Sequence, residues 1–552
     1  MVPVILPRPL YLFLFCLLGL AYLPGLFVTL MDNDSAHHAN IALHMYLTGD
    51  YVRLIDNGRD YLDKPHLHFW LCALSYHLFG VTTFAYKFPS FLFTLLGTWS
   101  TYRLGKALYD DETGRLAALM AASAFAYMLA NNDVRMDAIL TACVAFSSWQ
   151  LVELVRTRRW IHVAGSAWGL ALGFATKGHI AVFTPAIGTL FYILYTRKAK
   201  DLLDLRWLVL LLLFALFISP VVYCYYLQYN LHPEIQVRGR DHINGVSFIL
   251  FGQSLERFQG DQFGGDARND YLFFFHSFLW AFAPWSLLTY LALAERAQGF
   301  LHRSREWFTP STVLVLAGLL TFSGFKLPHY LNIIFPAAAV LTAAWFRSRA
   351  DRPVTPLRIQ VAVVVLLLML SAVLNGYFFP LSRLYLLPGV ILLLAAVIYF
   401  FKSPLYNRLQ KAICLSVSAM ALTFFLLNTS FYPQLLRYQG GNQLAAQVKG
   451  TLDPADVYFW KDIYSSSFCF YTASLRQPFS DSVFAKGRPV WLLIDRKNWP
   501  EVSAHYHTGT VYRTPDYEIT RLQFAFVNPS TRARELTEMQ LVELKGIRYL
   551  PK

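Results

Sequence analysis

The chain predicts a polytopic α-helical membrane protein that ends in a small soluble α/β domain. Its 552 residues are 56% hydrophobic and only 15% charged, and the apolar residues fall in blocks long enough to span a bilayer. Basic clusters occupy every second gap between those blocks: Arg103, Lys106 and Arg115; Arg156, Arg158 and Arg159; Arg197, Lys198, Lys200 and Arg206; Arg296, Arg303 and Arg305; Arg347, Arg349, Arg352 and Arg358; and Lys402, Arg408 and Lys411. By the positive-inside bias these gaps face the cytoplasm. The remaining gaps gather acids, histidines and aromatics and face the opposite side. Topology thus accounts for most of the net charge of +14, and the bilayer rather than nucleic acid is the expected partner.

Apolar length and loop charge predict about thirteen spans. They run over 10–30, 83–103, 115–131, 136–155, 161–176, 180–196, 207–227, 271–294, 309–325, 330–347, 359–378, 384–401 and 411–431. An odd count leaves the N-terminus cytoplasmic and the C-terminus outside. The first run follows Arg8, is about 20 residues long and lacks an Ala-x-Ala cleavage pattern, so a retained helix is expected rather than a signal peptide. The membrane domain covers 1–431, and its outer loops 31–82 and 228–270 form the active-site side. Long loops in a compact bundle are more often functional than idle. Within the first loop, His66 to Phe79 has the mixed polarity of a helix lying at the interface. After residue 431 the composition changes. Asn442 to Val448 and Trp499 to His507 look helical, while Val457 to Trp460 and Val490 to Ile494 look like buried strands. Residues 432–552 therefore form the soluble domain. The six isolated cysteines suit neither a zinc site nor a disulfide framework and read as packing residues.

The candidate chemistry lies in the outer gaps. Asp32 and Asp34 stand at the exit of the first span, followed by His37 and His38. Carboxylates there mark either a water-filled cavity or a solvated helix end. Further on come Gly49-Asp50-Tyr51 and Tyr61-Leu62-Asp63-Lys64-Pro65-His66, where the proline holds Lys64 extended. Asp133, Arg135 and Asp137 crowd a short outer turn, and Thr176-Lys177-Gly178 and Lys326-Leu327-Pro328-His329-Tyr330 form two more. One lysine beside lipid headgroups would be ordinary snorkelling. Lys64, Lys177, Lys326 and Arg257 on one face look like a site for an anionic headgroup.

The ordered series formed by Asp34, Gly49-Asp50-Tyr51, Tyr61 to Pro65, Asp137, Thr176-Lys177-Gly178, Glu256-Arg257-Phe258 and Lys326 to Tyr330 resembles the GT-C integral-membrane glycosyltransferases. The nearest branch contains the protein O-mannosyltransferases and the lipid A aminoarabinose transferases. The series covers about residues 10–350. The resemblance implies transfer of a hexosyl or pentosyl group from a polyprenyl-phosphate carrier, with inversion, at the periplasmic face of a bacterial inner membrane. The acceptor it implies is an envelope lipid or glycan, with a periplasmic protein side chain as the alternative and a polyprenyl-linked sugar transporter as the rival from another class. By the same resemblance Asp34 is the catalytic base and Asp137 the second loop acid. Lys64, Lys177, Arg257, Lys326 and Tyr330 surround the donor phosphate, and Tyr61, Asp63 and His66 meet sugar or acceptor. No cofactor is required, although Asp63 and Asp266 leave room for a divalent ion. The chain departs from the family's pattern at Ser35, where Glu is common, and at His66, where a second proline is common.

Overall fold

The computed structural model describes residues 6–32, 34–196, 199–259, 270–299, 306–349, 354–381 and 383–548. The predicted class is borne out: a helical bundle built from apolar helices is followed by a mixed four-stranded sheet. Each predicted span contains a helix, but the spans are not equally long. Among the described residues, seven helices are long and apolar enough to cross a membrane by length and composition. The run 115–131 breaks at Ser123–Ala124 into the helices Asp111–Ala122 and Phe125–Leu129, and the run 271–294 breaks before Ser286, where Pro284 removes a backbone donor. Helix Asp137–Thr157 is almost wholly buried, whereas Leu205–Asn230 turns most of its apolar surface outward. In a protein that uses lipid as solvent, the first lies inside the bundle and the second at its rim.

In chain order the elements that position the site are α1 (Arg8–Gly25), α2 (Asp34–Thr48), a short β1–β2 hairpin (Ile55–Asp56, Arg59–Asp60), α3 (Leu67–Phe79), α4 (Thr83–Leu108), α5 (Asp111–Ala122), α6 (Phe125–Leu129), α7 (Asp137–Thr157), α8 (Trp160–Lys177), α9 (Ile180–Tyr195) and α10 (Leu205–Tyr225). Local chemistry fixes several boundaries. The Thr82 side chain accepts the Ala85 N–H at the start of α4, and Asp110 accepts the Thr113 N–H at the start of α5. Gly80, with φ +72°, ends α3. The predicted interface helix is therefore present as α3, while α2 is a helix that the polar run Asp34–His38 had concealed.

The last long helix runs on through irregular turns to Tyr438. The sheet follows in the order β3-β4-β6-β5, with β3 (Val457–Phe459) parallel to β4 (Val490–Asp495), and β6 (Thr537–Ile547) antiparallel to both β4 and β5 (Tyr506–Asp516). Strand β4 reads as a continuous apolar run because both sheet faces are covered. Leu493 and Leu541 pack under Leu444 and Phe468, whereas Leu492 and Val542 pack with Val502 and Tyr506. All six cysteines are free, and all but Cys16 are buried.

Candidate active site

Two charge clusters meet where α2, α7, α8 and the turn before helix Phe335–Ser348 converge. The first centres on Asp34, the first residue of α2, where a carboxylate suits the positive end of the helix. Its Oδ2 accepts a 2.7 Å hydrogen bond from Arg135 Nη1, and Arg135 Nε donates to Asp133 Oδ2 at 2.6 Å. Burial works against the Arg135 charge, yet Asp133, Asp34 and Asp137 together raise its guanidinium above the ordinary arginine value. Burial also pushes the Asp133 carboxyl up, with Arg135 opposing it. Arg135 thus joins Asp34 to Asp133 and feels the charge of Asp137, a role that sequence reading missed although it is the one cation in its turn.

The second cluster is buried. Lys177 Nζ, at the C-terminal end of α8, donates to Asp137 Oδ1 at 2.7 Å, and His329 Nε2 lies 3.9 Å from Asp137 Oδ2. The Lys177 ammonium also sits 4.9 Å from the centre of the Tyr330 ring, within cation–π range. Two backbone features hold this geometry. Met136 adopts φ +89° immediately before Asp137, a conformation that costs about 1–3 kcal/mol for a non-glycine residue and recurs at functional sites. Gly178, with φ +74°, ends α8 directly after Lys177, and a Cβ there would lie 2.6 Å from Gln253 Oε1. Gln253 in turn donates to the Asp63 carbonyl at 2.6 Å and so ties the two long loops together.

Asp137, Lys177 and Tyr330 line a cavity of about 640 Å³ whose wall is otherwise largely apolar, with Ile180, Phe183, Phe251, Leu319 and Leu320. A long hydrocarbon tail fits such a wall, and a charged head fits the charged residues in it.

The other predicted residues are distributed around these clusters. Tyr61 packs edge-on to His37, whose ring pairs with Asp56 at 3.0 Å. Burial first, then His37, His68, Lys64 and Arg135, hold the His38 imidazole well below its ordinary value. The Lys64 carbonyl accepts a hydrogen bond from Tyr225 Oη at 3.2 Å. Lys326 is buried elsewhere: its Nζ donates to the Asp270 carbonyl at 2.9 Å and lies over Tyr271, so it does not line the cavity. The Arg257 side chain and all of Asp266 lie outside the described residues. Asp63 pairs with the Arg238 guanidinium, which also meets Glu256 at 3.3 Å. A cation is therefore already held where a metal would need the Asp63 oxygens. Among the described residues no group of three or more His, Cys, Asp or Glu side chains converges as a metal site. Asp63 thus faces a guanidinium in this structure, and its predicted partner Asp266 lies outside the described residues.

His66 is buried against Trp70 and Tyr225, and its Nε2–H donates to the Val52 carbonyl at 2.8 Å. Burial lowers its value from 6.5 to about 4, with the backbone hydrogen bond opposing. A depressed folded-state value contributes stability that is present above 6.5 and is lost as pH falls toward 4, on the order of 3 kcal/mol in all. Acidification is expected to loosen the segment around Tyr51 to Trp70, read by hydrogen exchange between pH 7 and pH 4, and His66→Gln should shrink that sensitivity. An identical acid response in the parent and His66→Gln would remove His66 as its source.

A family model described as dolichyl-phosphate-mannose-protein mannosyltransferase matches residues 63–224, which contain Asp63, Lys64, Asp137 and Lys177. The undecaprenyl phosphate-alpha-4-amino-4-deoxy-L-arabinose arabinosyl transferase of Pseudomonas aeruginosa strain LESB58 is 28% identical over 311 residues, 54% of this chain and 52% of that protein. Its counterpart in Aeromonas salmonicida is 33% identical over 211 residues, 35% of this chain and 36% of that protein. The chain thus spans about half the length of the first relative and about a third of the second. ArnT from Cupriavidus metallidurans bound to undecaprenyl phosphate matches with a TM-score of 0.73 over 97% of both chains at 15% identity. The Archaeoglobus fulgidus oligosaccharyltransferase in the apo form matches with a TM-score of 0.50 over 90% of this chain and 73% of that chain at 11% identity. Identities this low speak to the fold alone. The chain is a multi-pass membrane protein with the fold of the GT-C integral-membrane glycosyltransferases.

Proposed function

We propose that this protein transfers a sugar from a polyprenyl-phosphate carrier to an envelope lipid or glycan, at the periplasmic face of a bacterial inner membrane and with inversion. The observation that carries the reading is the cavity: its wall is largely apolar, the Asp137–Lys177 pair lines it, and Arg135, bound to Asp34, feels the Asp137 charge. The carrier's tail lies along the apolar wall. Its phosphate meets Lys177, with Lys64 and Arg257 as further cations approaching from the two long loops and Lys326 as a more distant one. Arg135 takes Asp34 Oδ2, and Oδ1, which no hydrogen bond engages among the described residues, receives the proton of an acceptor hydroxyl. The acceptor oxygen then bonds to the anomeric carbon as the bond from that carbon to the phosphate oxygen breaks, and the polyprenyl phosphate departs with the electron pair. Cations in a site of low dielectric stabilise the charge that develops there. Tyr61 and His66 shape the acceptor side, and Asp63 does so through its pair with Arg238.

The mannosyltransferase family match over 63–224 favours a second acceptor class, a periplasmic protein side chain. A transporter of polyprenyl-linked sugars is less well supported, because transporters place such charges near mid-membrane, whereas Asp137 and Lys177 stand at helix ends. Mass spectrometry of envelope lipids, glycans and glycoproteins from cells with and without the protein separates these readings. A sugar lost from a lipid or glycan supports the proposal, and one lost from a protein supports the second class. An unchanged envelope with carrier-linked sugar accumulating would overturn enzymatic transfer. For topology, an alkaline phosphatase reporter after residue 431 should be active and one at Lys200 inactive. Activity at Lys200 would place the site on the cytoplasmic side.

A further inference from the structure

The sheet domain grips the segment leading into α2. Asp32 Oδ1 accepts the Ser467 N–H at 2.9 Å, and Asp32 Oδ2 accepts the Ser467 hydroxyl at 2.5 Å. The Asp32 N–H donates to Gln439 Oε1 at 2.8 Å, while Gln439 Nε2 donates to the Leu30 carbonyl at 2.9 Å. The Leu30 N–H donates to Tyr471 Oη at 2.8 Å. Five hydrogen bonds therefore join residues about four hundred positions apart in the chain, all within four residues of Asp34. Packing reinforces them. Phe470 enters the core formed by α2, α3 and α4, with its ring 6.1 Å from Tyr76 and 6.4 Å from Tyr86. Gly441 permits this approach, because a Cβ there would lie 2.5 Å from Ser467 Oγ.

A carboxylate held this way has a positional consequence. Asp32 and Asp34 flank a single residue at the start of α2, so the anchoring of Asp32 decides how that helix enters and where the Asp34 carboxylate stands. Burial at the junction raises the Asp32 carboxyl to about 6, and the two hydrogen bonds from Ser467 oppose the rise. Removing the Ser467 hydroxyl therefore weakens the anchor without touching Asp34.

We infer that Asp32 is a positioning residue for the transfer reaction and that the sheet domain, through Ser467 and Gln439, is a working part of the site because it sets the place of Asp34. This rests on the function proposed above. The test uses the full chain in lipid nanodiscs with Ser467→Ala, Asp32→Ala and Asp32→Asn. Asparagine keeps the shape, with its oxygen accepting the Ser467 N–H and its amide donating to the hydroxyl. Turnover with an undecaprenyl-phosphate-linked sugar should fall about 10- to 100-fold in Ser467→Ala and Asp32→Ala, as expected for a group displaced by about an ångström. The donor KM should stay within about twofold, since the cavity is untouched, and Asp32→Asn should retain most of the turnover. Hydrogen exchange over residues 34–48 should rise in the two alanine variants and not in Asp32→Asn. If Asp32→Asn is as damaging as Asp32→Ala, the charge itself is required and the positioning role is overturned. Unchanged exchange in both alanine variants also overturns it, as does raised exchange with parental turnover. If the parent protein transfers no carrier-linked sugar, the functional reading fails separately, and the exchange data still decide whether the sheet domain orders α2.

Discussion

Asp34→Asn is expected to leave the protein folded and inserted while lowering turnover about 100-fold or more, the size of a lost general base. Asparagine preserves the shape at the start of α2, and its oxygen still accepts the hydrogen bond that Arg135 now makes at 2.7 Å. Little stability is at stake, because Asp34 is partly exposed and ion pairs in contact with water contribute little. What asparagine cannot do is receive the proton from an acceptor hydroxyl. Arg135→Lys should produce a smaller but related defect of about tenfold, since a single ammonium does not reproduce the planar fork that holds Asp34 and Asp133 together. The measurement is transfer from a polyprenyl-phosphate donor by purified protein. Asp34→Asn working at the parental rate would leave Asp34 as a solvated helix end, and attention would pass to Asp137.

The elements most legible in the sequence were those whose surroundings repeat along the chain. Apolar blocks separated by basic gaps are dictated by the bilayer, and each such block contains a helix, although 115–131 and 271–294 are each broken in two. Strand β4 and helix α3 were legible for a similar reason, because a doubly covered strand is apolar throughout and an interface helix is mixed. Helix α2 was hidden because His37, His38 and Asn40 interrupt its apolar pattern, and His38 and Asn40 are buried by protein rather than by lipid. Strand β5 lacked a clean run because it is an edge strand with most residues at least partly exposed, and β6 because Gln540 and Glu543 interrupt Leu541, Val542 and Leu544. The residues of the site could be named one at a time, but their partners could not. Nothing in the spacing shows that Lys177 meets Asp137, that Lys326 turns to the Asp270 carbonyl, or that Arg238 takes Asp63. Each is a contact between segments brought together only by the fold. The link from Asp32 to Ser467 is the extreme case, since its two halves belong to different layers of the molecule.

The Asp137–Lys177 pair offers the second large effect. Each partner is nearly inaccessible to solvent, with side-chain exposures of 4% and 10%. Removing one member of such a pair leaves an uncompensated charge, which typically costs about 3–5 kcal/mol. Lys177→Met alone is therefore expected to fold poorly or to melt well below the parent. That result would not distinguish a structural lysine from one that holds the donor. The double variant Asp137→Asn with Lys177→Met does, because it removes both charges at similar volume and should recover most of the lost stability. If Lys177 serves the carrier's phosphate, the double variant will melt near the parent yet bind undecaprenyl phosphate at least about tenfold more weakly, since a charge-assisted hydrogen bond contributes more than a neutral one. Turnover should fall with it. A double variant that is stable, binds the carrier as the parent does and still transfers sugar would show that the pair only braces α7 against α8. The headgroup would then belong to Lys64 and Arg257, and Asp137 would lose its claim to any part in the chemistry.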